Sequence, residues 1–323
     1  MNKNDPSYVI ASKAAPEGMR TVCGSPDADA SGCIIDEVYC TRGSRDMRLQ
    51  IMLPYYTTKL NQRQVERLSG GPLPPMEELA DPMFPLIVFV QGSAWMKQDL
   101  YKALAKMSRY VHKGYAVACV EYREIPADTW PAQLLDVKTA IRYMRANAKL
   151  YGIDKSRVAI MGNSSGGHLA LMTALTQGMS EYDDGLYPGE SDAVSCCIDL
   201  YGPSDLAFLN ATPRAPFYRD VPAAESAEGL LMGGVDLEKD TKTAETASPV
   251  YYVSKKKYCP PVLIIHGDED GMVPFDQSVR MYNALRACGK QAELVKVLGA
   301  GHGIEFYSDG VFEEIFSFLA KNL

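Results

Sequence analysis

Apolar and polar residues follow one another in this chain with two different periods. Ile34 to Thr41 and Met47 to Pro54 alternate between the two types on either side of Arg42-Gly43-Ser44, which predicts an antiparallel strand pair. Five largely apolar runs come later: Leu86 to Val90, Ala116 to Val120, Val158 to Met161, Ser195 to Tyr201 and Pro261 to Gly267. A run without alternation marks a strand covered on both faces, as in a parallel sheet. Between these runs the spacing lengthens. Pro131 to Tyr151 places Leu134, Val137, Ile141, Met144, Ala148 and Tyr151 at steps of three and four, the face of one helix stopped by Gly152. Further helices are predicted from about Met96 to Lys113, from Asp276 to Cys288 and at the C-terminus, with a strand at Glu293 to Leu298. Strands and helices in regular succession predict an α/β fold, a mostly parallel central sheet with right-handed crossovers and helices on both faces.

Three stretches break the rhythm. Residues 1–33, rich in Pro, Gly, Asp and Ser, read as an irregular arm preceding a domain that runs from 34 to 323. Residues 57–85 read as a surface insertion carrying Gly70-Gly71-Pro72 and Pro74-Pro75, with a helical turn at Gln62 to Leu68. Residues 203–250, with Phe208, Phe217, Tyr218 and short helices around Glu225 to Met232, read as a small cap over a pocket, since long excursions inside a compact domain usually carry function.

Composition narrows the partners. A formal charge of −7 over 323 residues argues against nucleic acid, and no apolar run approaches the length of a membrane span. The first residues lack a signal-peptide core, so a cytoplasmic location is expected as the chain is written, and a periplasmic or secreted one if a leader has been removed. Oligomeric state, a homodimer included, is open. Cys119, Cys196 and Cys197 lie in strand-like runs as buried thiols, while Cys23, Cys33 and Cys40 leave room for one disulfide. No Cys-x-x-Cys spacing points to structural zinc, and neither metal nor cofactor is expected.

The chemistry centres on Arg157 to Ala170, a strand, a tight turn and a small-residue helix. The turn reads Gly162-Asn163-Ser164-Ser165-Gly166. Its glycines allow a sharp reversal that lifts the Ser164 hydroxyl over a helix N-terminus. Gln91-Gly92-Ser93-Ala94-Trp95, at the end of another predicted strand, places small residues where backbone N–H groups can stabilise an oxyanion. A serine nucleophile needs a base, and there are four histidines. His112 ends a surface helix, His168 lies one turn beyond Ser164 and packs beneath it, and His266 precedes and braces the acidic loop Asp268-Glu269-Asp270. His302, in Gly299-Ala300-Gly301-His302-Gly303, follows the next strand at the same sheet edge as Ser164. Trp95, Trp130 and Tyr122 are candidates for substrate contact, with core packing as the alternative.

These motifs, with Trp130-Pro131-Ala132-Gln133, Asp136-Val137 and Val273-Pro274, resemble α/β-hydrolases of the esterase/lipase type over roughly residues 34–323. Bacterial acetyl-xylan and feruloyl esterases are the most similar in pattern. The resemblance implies Ser164 as nucleophile, His302 as base, Asp270 as acid and Asp268 as a loop-turning residue. It also implies an oxyanion hole built from Ser93 or Ala94 with Ser165. Where the family usually has His-Gly-Gly-Gly-Trp, this chain has Gln91-Gly92-Ser93-Ala94-Trp95, which narrows the space above the hole. The expected activity is hydrolysis of acetyl or feruloyl esters of plant cell-wall carbohydrate, with a small-molecule or oligosaccharide ester as substrate. The alternatives are an amide hydrolase, either kynurenine formamidase-like or acting on small peptides, and a binding relative without catalysis.

Overall fold

A computed structural model of the chain describes residues 33–54, 83–212 and 221–323. The predicted N-terminal arm with Cys23, the 57–85 insertion with its helical turn (described only from residue 83), and the aromatics Phe217 and Tyr218 lie outside these residues.

The strands are β1 (Cys33–Arg42), β2 (Arg45–Leu53), β3 (Phe84–Val90), β4 (Ala116–Val120), β5 (Ile153–Asn163), β6 (Cys196–Leu200), β7 (Val262–Gly267) and β8 (Ala292–Val297). They form one sheet in the order β1-β2-β4-β3-β5-β6-β7-β8. β2 runs antiparallel to both of its neighbours, and every pairing from β4 to β8 is parallel. Parallel register brings all the following loops to one edge. Val90 sits beside Gly162, Asn163 beside Leu200, and Gly267 beside Val297, so Gln91, Ser164 and Tyr201 emerge together.

The absence of alternation in these strands has the predicted cause. In β3, Leu86, Val88 and Val90 face one core while Ile87 and Phe89 face the other. Helices α2 (Ala132–Ala146), α4 (Ser165–Leu175) and α8 (Asp276–Ala287) cover the first face through Val137, Ile141, Leu169, Met281 and Leu285. Helices α1 (Leu104–Val111) and α9 (Asp309–Asn322) cover the second through Met107, Tyr110, Phe312 and Ile315. No helix among the described residues is long and apolar enough to cross a membrane.

Four expectations need correction. The helix expected from Met96 begins only at Leu104. Residues 94 and 95 are held at positive φ, and the Gln98 side chain bonds to Tyr122 N and Met96 O, which keeps this stretch in turns. The helix expected to reach Tyr151 breaks at Asn147, whose amide caps the Tyr143 carbonyl, and resumes as the short α3 (Ala148–Tyr151). Cys40 is a free thiol, pushed up to about 11 by burial, which leaves only Cys23 and Cys33 as candidates for the expected disulfide. Finally, the described part of 203–250 is not a cap. It folds as α5 (Leu206–Ala211), α6 (Ala227–Leu231) and α7 (Thr241–Glu245) against the outer side of the elbow helix. Leu231, Leu237, Ala244 and Ala247 are buried there with Leu169 and Met172.

Candidate active site

Ser164 lies between β5 and α4 with φ 54°, a conformation costly for a residue with a side chain. Its N–H donates to Leu200 O at 2.9 Å and its carbonyl accepts from His168 N at 3.0 Å, which hold the turn from both sides. The surrounding glycines are required by close approach. A Cβ on Gly162 would overlap the Gly166 carbonyl, and one on Gly166 would overlap Val90 O. A Cβ on Gly92 would strike Asn163 O and Ser164 Cβ.

His302 joins this serine to the acidic loop. Its Nε2 lies 2.9 Å from Ser164 Oγ and its Nδ1 lies 2.6 Å from Asp270 Oδ2. Asp270 is buried. Burial alone would raise its pKa, yet bonds from His266, His302 and Val273 N outweigh this and hold it well below the usual carboxylate range. Oδ1 accepts from Met272 N at 2.8 Å and Val273 N at 2.9 Å. His266 braces the loop as expected. Its Nε2–H donates to Val273 O and Asp270 Oδ2, and its Nδ1 accepts from Ser278 Oγ at 2.7 Å. Asp268 is turned away, accepting from Gly299 N at 2.7 Å to anchor the loop that carries His302. An ionised carboxylate, a histidine with Nδ1 fixed by it and a serine at Nε2 can together generate a nucleophile.

The loop after β3 supplies N–H groups, and of the two expected there, Ser93 and Ala94, only Ala94 has its N–H free. Ser93 N–H donates to Ser165 Oγ at 2.9 Å and is therefore already engaged. Ala94 N–H and Ser165 N–H, the latter in the first turn of α4, take no acceptor among the described residues. Ser93 instead anchors the loop, with its Oγ bonded to Met96 O and 2.9 Å from Tyr122 OH.

Trp95, Trp130 and Tyr122 do not line the cleft, contrary to expectation. Trp95 is 3% exposed, and its Nε1–H donates to His168 Nδ1 at 3.2 Å. Trp130 also packs on His168, with ring centroids 5.7 Å apart and the rings tilted by 59°. His168 Nε2 bonds Ala247 O at 2.6 Å, and burial brings its pKa down to about 4, so this neutral imidazole ties the elbow helix to residues 244–248. Tyr122 is fully buried and supports the loop after β3, its OH reaching Gln91 O at 3.0 Å.

The cleft above Ser164 has a volume of about 600 Å³. Its walls include Phe89, Gln91, Tyr201, Met272 and Tyr307, with Lys102, Lys106 and Glu305 at its polar side. No described residue of 203–250 reaches it. Tyr201, read from the sequence only as part of a strand, packs its ring 4.7 Å from that of His302. Its OH takes a bond from Asn163 Nδ2 at 3.3 Å, and Asn163 Oδ1 accepts from Gly92 N at 3.0 Å. The elbow, the Gly92 loop and His302 are thus linked through Asn163 and Tyr201. Nothing in local sequence marks Tyr201 beyond its place just past a strand end.

Beneath the elbow, Asp199 is completely buried, and its Oδ2 has no partner. Burial pushes its carboxyl up to about 8, only partly opposed by the bond from Gly202 N. A carboxyl that stays neutral in the fold but ionises near pH 4 when unfolded leaves stability intact below pH 4. Above that, up to about 1.4 kcal/mol is lost per pH unit until pH 8. Asp199→Asn is therefore expected to gain melting temperature over wild type progressively from pH 4 to pH 8. A difference that stays flat across that range in calorimetry would contradict this.

A mostly parallel sheet, a strand–serine–helix elbow and a Ser–His–Asp chain at one sheet edge define an α/β-hydrolase. Residues 74–285 match the family model BD-FAE, and the chain belongs to the BD-FAE family. It is 31% identical over 223 residues to Esterase LipC of Mycobacterium tuberculosis, covering 68% of this chain and 53% of that protein. With Esterase LipQ of the same organism it shares 33% over 213 residues, 64% of this chain and 46% of the other. The chain spans about half the length of the curated relatives it matches. A solved structure titled as a truncated form of a carbohydrate esterase from gut microbiota superposes with a TM-score of 0.72 at 29% identity. The match covers 91% of this chain and 98% of that one.

Proposed function

We propose that this protein is a serine carboxylic-ester hydrolase working through an acyl-enzyme. The observation that carries the reading is the relay from Ser164 through His302 to Asp270, set beside two unpartnered N–H groups at an open cleft. His302 Nε2 takes the Ser164 proton as Oγ attacks the ester carbonyl, and Asp270 stabilises the imidazolium that forms. The tetrahedral oxyanion rests on the N–H groups of Ala94 and Ser165, assisted by the positive end of α4. His302 returns its proton to the departing alkoxide. It then deprotonates the water that releases the acid.

The substrate reading is an acetyl or feruloyl ester of plant cell-wall carbohydrate. It is supported by the similarity to a structure titled a carbohydrate esterase and by the aromatic lining from Phe89, Tyr201 and Tyr307, which suits a flat or short acyl group. The test sets 4-nitrophenyl acetate, methyl ferulate and N-formylkynurenine side by side, each with wild type and Ser164→Ala. Ser164-dependent turnover of methyl ferulate supports a feruloyl esterase, and turnover of the acetyl ester alone a deacetylase. Turnover of the formamide alone would replace the ester reading with amide hydrolysis. No turnover at all would leave a binding relative.

A further inference from the structure

The wall of the Ser164 cleft carries more positive than negative charge. Lys102, Lys106 and Glu305 all line it, and among the described residues neither lysine has a carboxylate at ion-pairing distance. Lys106 is not a loose surface group. Its Nζ lies 3.7 Å from the ring centroid of Tyr307, whose OH bonds Tyr201 OH at 3.1 Å, and Tyr201 packs on His302. One ammonium is thereby seated on an aromatic chain leading to the triad. Lys102 stands four residues earlier, in the turns that lead into α1. Burial first, and Lys102 second, lower the pKa of Lys106, so the two ammonium groups repel each other across this wall. An anion between them relieves that repulsion. The chain as a whole bears −7, so an anionic substrate meets a repulsive general field and needs such a local attraction to bind.

We propose that Lys102 and Lys106 bind a carboxylate on the substrate, selecting esters in which the sugar or the acyl group is acidic. This rests on the esterase reading above. A uronic-acid-bearing oligosaccharide ester would carry the carboxylate on its alcohol half, and a dicarboxylic acyl group would carry it on the acid half.

Two matched pairs separate these sources: acetylated methyl glucuronoside against acetylated methyl glucoside, and 4-nitrophenyl hemisuccinate against 4-nitrophenyl butyrate. The readout is the ratio of kcat/KM for the charged to the neutral member, which does not depend on the fraction of active enzyme. The expected result is a preference for the charged member of one pair that shrinks in high salt. It should fall about tenfold in Lys102→Gln or Lys106→Gln, through KM rather than kcat, and survive in Lys106→Arg. A wild-type ratio of one or less in both pairs, or ratios unmoved by the glutamine variants, overturns the lysine assignment and leaves the esterase intact. If no ester is hydrolysed in a Ser164-dependent way, the esterase reading fails and the lysine assignment falls with it.

Discussion

Ser164→Ala is expected to lower kcat on 4-nitrophenyl acetate by on the order of 10⁵- to 10⁶-fold while leaving the melting temperature within a few degrees of wild type. The activity loss is large because the three groups act as one device. Without Oγ there is no acyl-enzyme, and His302 Nε2, 2.9 Å from the vacated position, has no alcohol to deprotonate. His302→Ala should cost nearly as much, and Ser164→Ala with His302→Ala no more than either alone, because each removes the same step. Asp270→Asn is expected to cost about 10⁴-fold, since an amide at 2.6 Å from Nδ1 disturbs the tautomer that presents a bare Nε2 to the serine. Stopped assays on purified variants and labelling by a fluorophosphonate measure these directly. A loss below about tenfold for Ser164→Ala would remove the serine from the reaction.

A large effect on stability is expected away from the triad. Asp136, on α2, is completely buried and accepts four bonds: Arg42 Nε at 3.0 Å, Arg123 Nε at 2.8 Å, a second Arg123 guanidinium nitrogen at 3.0 Å and Arg123 N at 2.9 Å. Arg42 comes from the end of β1 and also reaches Asp184, while Arg123 follows β4 and also pairs with Asp128. Asp136→Ala would leave two partly buried guanidinium groups short of a counter-charge, at a cost of about 3–5 kcal/mol. In a protein of this size that lowers the melting temperature by roughly 5–10 °C. Asp136→Asn, which retains two acceptor sites but no charge, should fall between. The loss also reaches the site, because Arg123 is the neighbour of Tyr122, which props the Ser93 loop. Thermal unfolding of both variants tests this. A shift under about 2 °C for alanine would mean that water takes over the arginines without penalty.

Much of the arrangement was legible in the sequence because it depends on local chemistry and order. Unalternated apolar runs required a sheet covered on both faces. The glycines around Ser164 required a strand reversing into a helix, and those loops fall on one edge whenever strands are parallel. The roles of His168 and His266 as braces were also readable from their places in the chain. The choice between the two aspartates was harder. Asp268 and Asp270 are two residues apart in one loop, and spacing alone does not choose between them. Bonds from His266, Met272 N and Val273 N aim Asp270 at His302, while Asp268 is held by Gly299 N.

Other features belonged to tertiary structure alone. Trp95, Trp130 and Tyr122 lie next to the motifs in sequence, but side-chain direction sends all three inward, two of them onto His168. Residues 221–250 look like a cap in composition, yet their apolar residues pack against the elbow helix, because that helix is buried on every side and needs an outer layer. The cleft wall comes from Tyr201, Tyr307, Lys102 and Lys106, drawn from three widely separated segments of the chain. The sequence determined the fold, the elbow and the order of Ser164, Asp270 and His302. Local pattern encodes backbone direction and loop position, whereas which side chains meet across 100 or 200 residues is decided by packing of the finished sheet and its helices.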